Sequence, residues 1–186
     1  MIADSLDTKL EKELATESLS DLAEAALNDG DALRGAKLFY GKKTACASCH
    51  DIRDGYQIGP KLTAARTETT PEFLIDSILN PSKSMLKGFQ SVNVITGDGV
   101  SLSGYLVEET DDSITISIVT DAGKTRTIDK EDVEDVSKIK QSTMPAGLAN
   151  LCESRQGFLD LAKFVIDINR GGPKRLNQLK RQAKVK

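Results

Sequence analysis

The sequence is poor in the features that build a large aromatic core or cross a membrane. Its 186 residues include no tryptophan, and aromatic residues make up only 4%. No run of about 18 apolar residues occurs, so the sequence predicts no membrane span. The net charge of −3 gives no basic footprint of the kind that nucleic-acid-binding domains carry. We therefore expect no membrane-spanning segment and no nucleic acid as partner, and a bound apolar cofactor could supply part of the core.

Histidine and cysteine are also scarce, which makes their positions informative. The chain has one histidine and three cysteines. Cys46, Cys49 and His50 form a C-x-x-C-H pattern, whereas Cys152 stands alone about a hundred residues later. The pattern is typical of c-type haem attachment, in which two thiols form thioethers with haem vinyl groups and the adjacent histidine binds iron. We predict one haem c, attached through Cys46 and Cys49, with His50 as the proximal ligand.

Zinc binding and thiol redox chemistry fit the cysteine pair less well than haem does. A structural zinc site needs four ligands, and only Cys152 remains to join the motif. A thioredoxin-like redox pair belongs at the end of a strand, and nothing before Cys46 reads as one. A local disulfide or a chance occurrence of so short a motif stays as an alternative. Cys152 itself is expected to be a small buried apolar residue near the start of the last helix.

Because the chain has a single histidine, few residues could be the second axial ligand of the iron. Ligation by two histidines of this chain is excluded once His50 is used. A methionine would give a His/Met pair, and Met144 is favoured because it precedes a proline in an irregular segment. Met85, an open position and a lysine remain as alternatives. Pro60 is predicted to offer its carbonyl to the His50 ring, the alternative being a plain turn.

Apolar residues spaced three to five positions apart predict helices on both sides of the motif. Asp31, Thr70 and Ser154 are expected to cap helices at their N-termini. Gly35 would let another helix cross closely, and Gly171-Gly172-Pro173 is expected to end the last helix. The predicted helices cover residues 5–28 as one helix or two, then 31–40, 70–79 and 155–170.

From residue 89 the apolar pattern has a period of two. Turn sequences such as Gly97-Asp98-Gly99 separate the alternating segments. This pattern predicts an antiparallel meander of about five strands, forming a sheet or a small barrel. The predicted strands cover residues 92–95, 100–107, 114–118, 125–128 and 133–139.

Several motifs together resemble one family. They are Gly35 to Phe39, Cys46-x-x-Cys49-His50, Gly59-Pro60-x-Leu62, Ile78-Leu79-Asn80-Pro81, Gly97-Asp98-Gly99 and Ser142-x-Met144-Pro145-x-Gly147-Leu148. Over residues 30–168 the chain resembles the haem-binding cytochrome c domains of planctomycete-type bacteria. The resemblance implies a class I cytochrome c fold with a β-rich insertion before the methionine loop. It also implies His50 and Met144 as axial ligands of the iron and an extracytoplasmic setting.

The expected fold class is therefore mainly α. It is a class I cytochrome c helical fold around one covalent haem, interrupted by a small antiparallel β-sheet or barrel. The expected parts are an acidic helical segment at 1–29, a cytochrome c domain at 30–88 and 141–170, a β-module at 89–140 and a basic tail at 171–186. The two ends carry opposite charge and could pair within or between subunits, so a homodimer is one of the expected assemblies.

The expected function is one-electron transfer, because a haem with both axial positions filled has no place for substrate. An electron-transfer protein or domain is thus favoured over an enzyme acting by itself. The alternatives are a haem sensor or peroxidase-like protein with a labile sixth ligand, and a module that binds a partner through its β-insertion. Lysines near the motif in sequence could steer an acidic redox partner; they are Lys42, Lys43, Lys61, Lys83 and Lys87.

The expected location is periplasmic or otherwise extracytoplasmic, since bacterial covalent haem attachment takes place there. The N-terminal residues lack the basic and apolar regions of a secretory signal. We therefore expect the chain to be a mature form, or a piece of a longer protein, with a start methionine added.

Overall fold

The computed structural model describes residues 9–50, 58–64, 69–118 and 124–185. Within them the chain forms two compact units, one built from helices and the other from a β-sheet. The helical unit contains the described residues of 9–50, 61–80 and 145–185. The sheet unit contains the described residues of 58–60 and 81–144.

The helical unit has six α-helices and a 3₁₀ turn among its described residues. The predicted caps are confirmed: the side chains of Asp31, Thr70 and Ser154 accept amide hydrogen bonds in the first turns of their helices. The predicted N-terminal helical stretch forms two helices. The elements are α1 (Lys9–Leu14), α2 (Leu19–Asp29), α3 (Ala32–Phe39), α4 (Ala47–His50), α5 (Pro71–Leu79), the 3₁₀ turn (Leu148–Cys152) and α6 (Arg155–Ala183).

Helices α3 and α6 cross at Gly35, which confirms the predicted close approach. A β-carbon at Gly35 would lie 1.9 Å from the backbone oxygen of Asp160 and 2.8 Å from Cβ of Phe164. Only a residue without a side chain allows the two backbones to come this near. The crossing fixes the direction in which α3 leads toward the cysteine motif.

A buried carboxylate joins the same two helices. Asp160 is 3% exposed. It accepts hydrogen bonds from the Asp31 amide at 2.8 Å and from Nε and Nη2 of Arg34 at 2.6 and 2.8 Å. Burial alone would raise the pKa of Asp160, but the hydrogen bonds from Arg34, the Asp31 amide and Gln156 hold this pKa below its ordinary value. The charged form of Asp160 therefore stabilises the α3–α6 contact.

Helix α6 has a break in its middle. Gly172 has φ 62° and ψ −159°, outside the helical region, and Pro173 follows it. The helix was predicted to end at Gly171-Gly172-Pro173, whereas the structure has a break there within α6, which continues beyond it. The expected basic tail is thus helical as far as Ala183. Leu179 and Ala183 on this second half are buried.

The sheet unit has five antiparallel strands in the order β4-β3-β2-β1-β5. The first four strands form the predicted meander. The fifth returns past a 3₁₀ turn at Lys130–Asp132 and pairs with β1, which a simple meander does not predict. The strands are β1 (Ser91–Thr96), β2 (Ser101–Glu109), β3 (Ser113–Ile118), β4 (Thr125–Asp129) and β5 (Val133–Lys138).

One face of the sheet carries an apolar cluster of its own. Its members come from alternate positions of the strands, as the period of two requires. Residues from both edge strands pack against this cluster, so the sheet unit has a complete small core. The fully buried members are Val92, Val94, Ile114 and Ile116, with Ile128 at 7% exposure and Leu102, Leu106, Ile118, Val133 and Val136 packed against them.

The expected mainly helical cytochrome c fold is wrong. The chain has a mixed α/β fold with a five-stranded antiparallel sheet and a long C-terminal helix. The expectation took its fold class from short motifs, which describe a few turns and helix ends. The alternating segment between residues 91 and 138 is instead a full sheet with its own core, and this makes the β-structure a principal part of the fold.

Candidate functional site

The residues Cys46 to His50 form a single helical turn that follows the loop after α3. Ala45 has a left-handed φ of 49°, which turns the chain before Cys46. The amides of Cys49 and His50 then donate to the Cys46 carbonyl at 3.2 and 3.1 Å. The Ser48 hydroxyl closes the turn by donating to the Ala45 carbonyl at 2.6 Å. The fold thus places the two thiols and the imidazole of the motif within one turn of α4.

The two thiols of the motif are free and partly exposed. Neither Cys46 nor Cys49 forms a disulfide, which does not fit the local-disulfide alternative. The Cys46 thiol lies 3.7 Å from the carbonyl oxygen of Thr44, to which it donates. Burial raises the pKa of Cys46, so this thiol keeps its proton over a wider pH range than a free cysteine. Both sulfur atoms remain available for bond formation.

Thr44 anchors the motif to the end of α3. Its side chain is buried, and its hydroxyl donates to the carbonyl oxygen of Leu38. The Ala45 amide donates to the Gly41 carbonyl at 2.9 Å, which adds a backbone link across the same loop. Sequence reasoning did not single out Thr44. The sequence feature that could have pointed to Thr44 is its position two residues before the first cysteine.

The imidazole of His50 lies beside an aromatic group of the helical core. Its ring centroid is 6.5 Å from that of Phe39, at an interplanar angle of 44°. Phe39 is 2% exposed and contacts Phe164 of α6 with ring centroids 5.1 Å apart. Because Phe39 is the last residue of α3, the α3–α6 crossing supports the histidine through this contact.

The other predicted site residues belong to the sheet unit. His50 is in the helical unit, whereas Pro60 and Met144 are in the sheet unit. Residues 51–57, which follow His50, lie outside the described part of the chain. Pro60 is partly buried and follows the buried Gly59. The roles of Pro60 and Met144 at the iron stay predictions.

The two candidate methionines have similar exposure. Met85 and Met144 are both partly buried and lie in irregular segments. The Met144 amide donates to the Ser142 hydroxyl at 3.1 Å, and the Ser142 amide donates to the Ser82 hydroxyl at 3.0 Å. The predicted irregular loop at Met144 is confirmed, and hydrogen bonds to neighbouring polar groups hold it.

Cys152 is separate from the motif in the sequence but belongs to the same helical unit. It is 4% exposed, at the end of the 3₁₀ turn before α6, which confirms the predicted small buried residue. Burial, with a smaller contribution from the Cys46 charge, raises the pKa of Cys152 to about 12. A thiol of this kind is unreactive at neutral pH.

The five lysines expected to steer a partner are all exposed. Lys43 forms an ion pair with Glu153 across the helical unit. An exposed pair of this kind contributes little to stability. The other four lysines of this group are Lys42, Lys61, Lys83 and Lys87.

Comparisons with protein-family models and with curated protein sequences find no match to this chain. The resemblance to planctomycete-type haem domains therefore rests on the motifs and stays a prediction. Among the described residues, no helix is long and apolar enough to cross a membrane. No group of three or more histidine, cysteine, aspartate or glutamate side chains in these residues could hold a metal ion by itself.

Proposed function

We propose that the protein binds one haem c covalently through Cys46 and Cys49, with His50 as an axial ligand, and transfers single electrons. The supporting observation is the α4 turn, which presents two free thiols and the only histidine of the chain, all partly exposed. A C-x-x-C-H motif folded in this way has the donor groups that c-type attachment needs.

The chemistry of the donor set fits this cofactor. Each thiol would add across one vinyl group, with sulfur bonded to one carbon and the thiol hydrogen transferred to the other, so no group leaves. The neutral imidazole of His50 can bind iron, and the bound haem supplies a reversible one-electron couple. The chain itself holds the attachment turn through Thr44 and supports His50 through Phe39.

The proposal includes Met144 as the sixth ligand. A thioether ligand raises the reduction potential relative to a second histidine, and this chain has no second histidine. With both axial positions filled, the iron would exchange electrons and would not bind substrate. The partner would be a redox protein, and the site of action would be extracytoplasmic, where haem is attached.

Visible spectra of protein produced with a haem-maturation system test this function. We expect sharp reduced c-type bands and a methionine-to-iron band in the oxidised protein. Met144→Ala should abolish that band, whereas the matched variant Met85→Ala should keep it. Loss of the band in Met85→Ala alone would assign the ligand to Met85.

Carbon monoxide distinguishes electron transfer from the sensor or peroxidase-like alternative. A filled sixth position should keep the reduced wild-type protein from binding carbon monoxide at neutral pH, and Met144→Ala should bind it. If the untreated reduced wild type binds carbon monoxide at once, the sixth position is open or labile. The electron-transfer proposal would then be wrong in its ligand set.

A further inference from the structure

The hydroxyl of Tyr105 joins two irregular segments of the sheet unit. Tyr105 lies in β2 and is 2% exposed. Its hydroxyl donates to the carbonyl oxygen of Ile58 at 2.7 Å and lies 2.8 Å from the hydroxyl of Thr143. Since the phenol proton goes to Ile58, Thr143 is the donor in the second bond. One buried oxygen thus ties the residue next to Met144 to the segment that leads into Pro60.

The surroundings of Tyr105 keep its hydroxyl in place. Its ring contacts Phe89 with centroids 5.7 Å apart. Ser91, directly opposite in β1, is also buried, and its hydroxyl has no hydrogen-bond partner among the described residues. At 2% exposure the Tyr105 side chain is closed to water over nearly all of its surface, so water would poorly replace the hydrogen bonds that its hydroxyl makes.

We propose that Tyr105 is a positioning residue that fixes the loop at residues 142–144 and thereby sets how Met144 presents its sulfur. The part of this inference that concerns iron rests on the proposed function. The part that concerns the loop rests on the contacts of Tyr105 alone. Among the described hydrogen bonds that hold the loop, only the one to Tyr105 attaches it to a strand, because Ser82 and Ser142 both lie in irregular segments.

Amide hydrogen exchange in the haem-free protein tests the loop. Tyr105→Phe keeps the ring and removes the hydroxyl. We expect exchange at the Ser142 and Met144 amides to rise about fivefold to thirtyfold, the range that loss of one to two hydrogen bonds gives at about 1.4 kcal/mol per factor of ten. Segments around Met85 serve as an internal reference and should not change.

Two further variants make this test specific. Ser103→Ala removes a hydroxyl from the same strand, one that donates to Asn93 at 3.1 Å and not to the loop, and should leave exchange at 142–144 unchanged. Thr143→Val removes only the second bond of Tyr105 at an exposed position and should give an intermediate rise. Unchanged exchange in both Tyr105→Phe and Thr143→Val would overturn the inference.

The haem-loaded protein tests the link to the ligand. We expect Tyr105→Phe to lower, by about one pH unit, the pH at which the methionine-to-iron band is lost, because a loosened loop releases the sulfur more easily. Ser103→Ala should not move this midpoint. Faster exchange with an unmoved midpoint would overturn the ligand role. If the wild type takes up no haem, the proposed function and the ligand role both fail, and the exchange experiment alone then decides whether Tyr105 holds the loop.

Discussion

The variant Gly35→Ala tests how closely helices α3 and α6 cross. The added β-carbon would lie 1.9 Å from the Asp160 backbone oxygen, and real β-carbons essentially never come within 3.0 Å of such an atom. The two backbones must therefore separate by at least 1.1 Å, the difference between these distances. The oxygen belongs to a helix and cannot rotate away as a flexible side chain would.

The expected cost follows from two opposing effects. Forcing an extra methyl group into a close-packed contact costs about 1–3 kcal/mol, and separating the helices also weakens the hydrogen bonds to Asp160. Alanine favours the helix over glycine by about 1 kcal/mol. We expect a net loss of about 2 kcal/mol in the free energy of unfolding, or about 4–8 °C in Tm.

Urea unfolding followed by far-ultraviolet circular dichroism measures this loss. Gly97→Ala is the control, because its β-carbon would have Asp132 oxygen at 3.9 Å as its nearest neighbour and its φ is not positive. That control should stay within about 0.5 kcal/mol of the wild type. If Gly35→Ala proves as stable as the wild type, the helices do not cross at so short a distance.

Three further predictions concern single buried groups. Asp160→Asn should lower the free energy of unfolding by about 2 kcal/mol at neutral pH. Because the folded pKa of Asp160 lies below its ordinary value, the stability difference between variant and wild type should disappear as pH falls from about 4 through the folded pKa. Urea midpoints measured against pH would stay equally far apart, or equal throughout, if the carboxylate were unimportant. At pH 8 only about one in 10⁴ Cys152 thiols would be ionised, so iodoacetamide should label Cys46 and Cys49 first and Cys152 only after unfolding; equal labelling rates would contradict its burial. Ile114→Ala should destabilise the sheet by about 3 kcal/mol, measured by exchange of strand amides, and a loss under about 1 kcal/mol would show that the apolar cluster is loosely packed.

Local features of the fold could be predicted from the sequence because they depend on neighbouring residues. The caps at Asp31, Thr70 and Ser154 follow from side chains that accept amide hydrogen bonds. The alternation of apolar residues identified five strands, since each strand has one buried face. The close crossing at Gly35 was predicted from the absence of a side chain.

The features that the sequence did not predict depend on distant parts of the chain. The pairing of β5 with β1 depends on how the chain returns past Lys130–Asp132, and no local pattern specifies this. The fold class was wrong because short motifs do not show how much of a chain forms a sheet. Tyr105 lies in the predicted strand 100–107, but no local pattern predicts the role of its hydroxyl, since the hydroxyl's partners lie 47 and 38 residues away.

The most direct measurement is the intact mass of the denatured protein after production with a haem-maturation system. We predict a mass increase of one haem that survives denaturation, in the wild type and in Cys152→Ser alike. Cys46→Ser with Cys49→Ser should remove the increase. Absence of covalent haem from the wild type under these conditions would contradict haem attachment at the α4 turn. Covalent haem that remains in the double variant would contradict it as well.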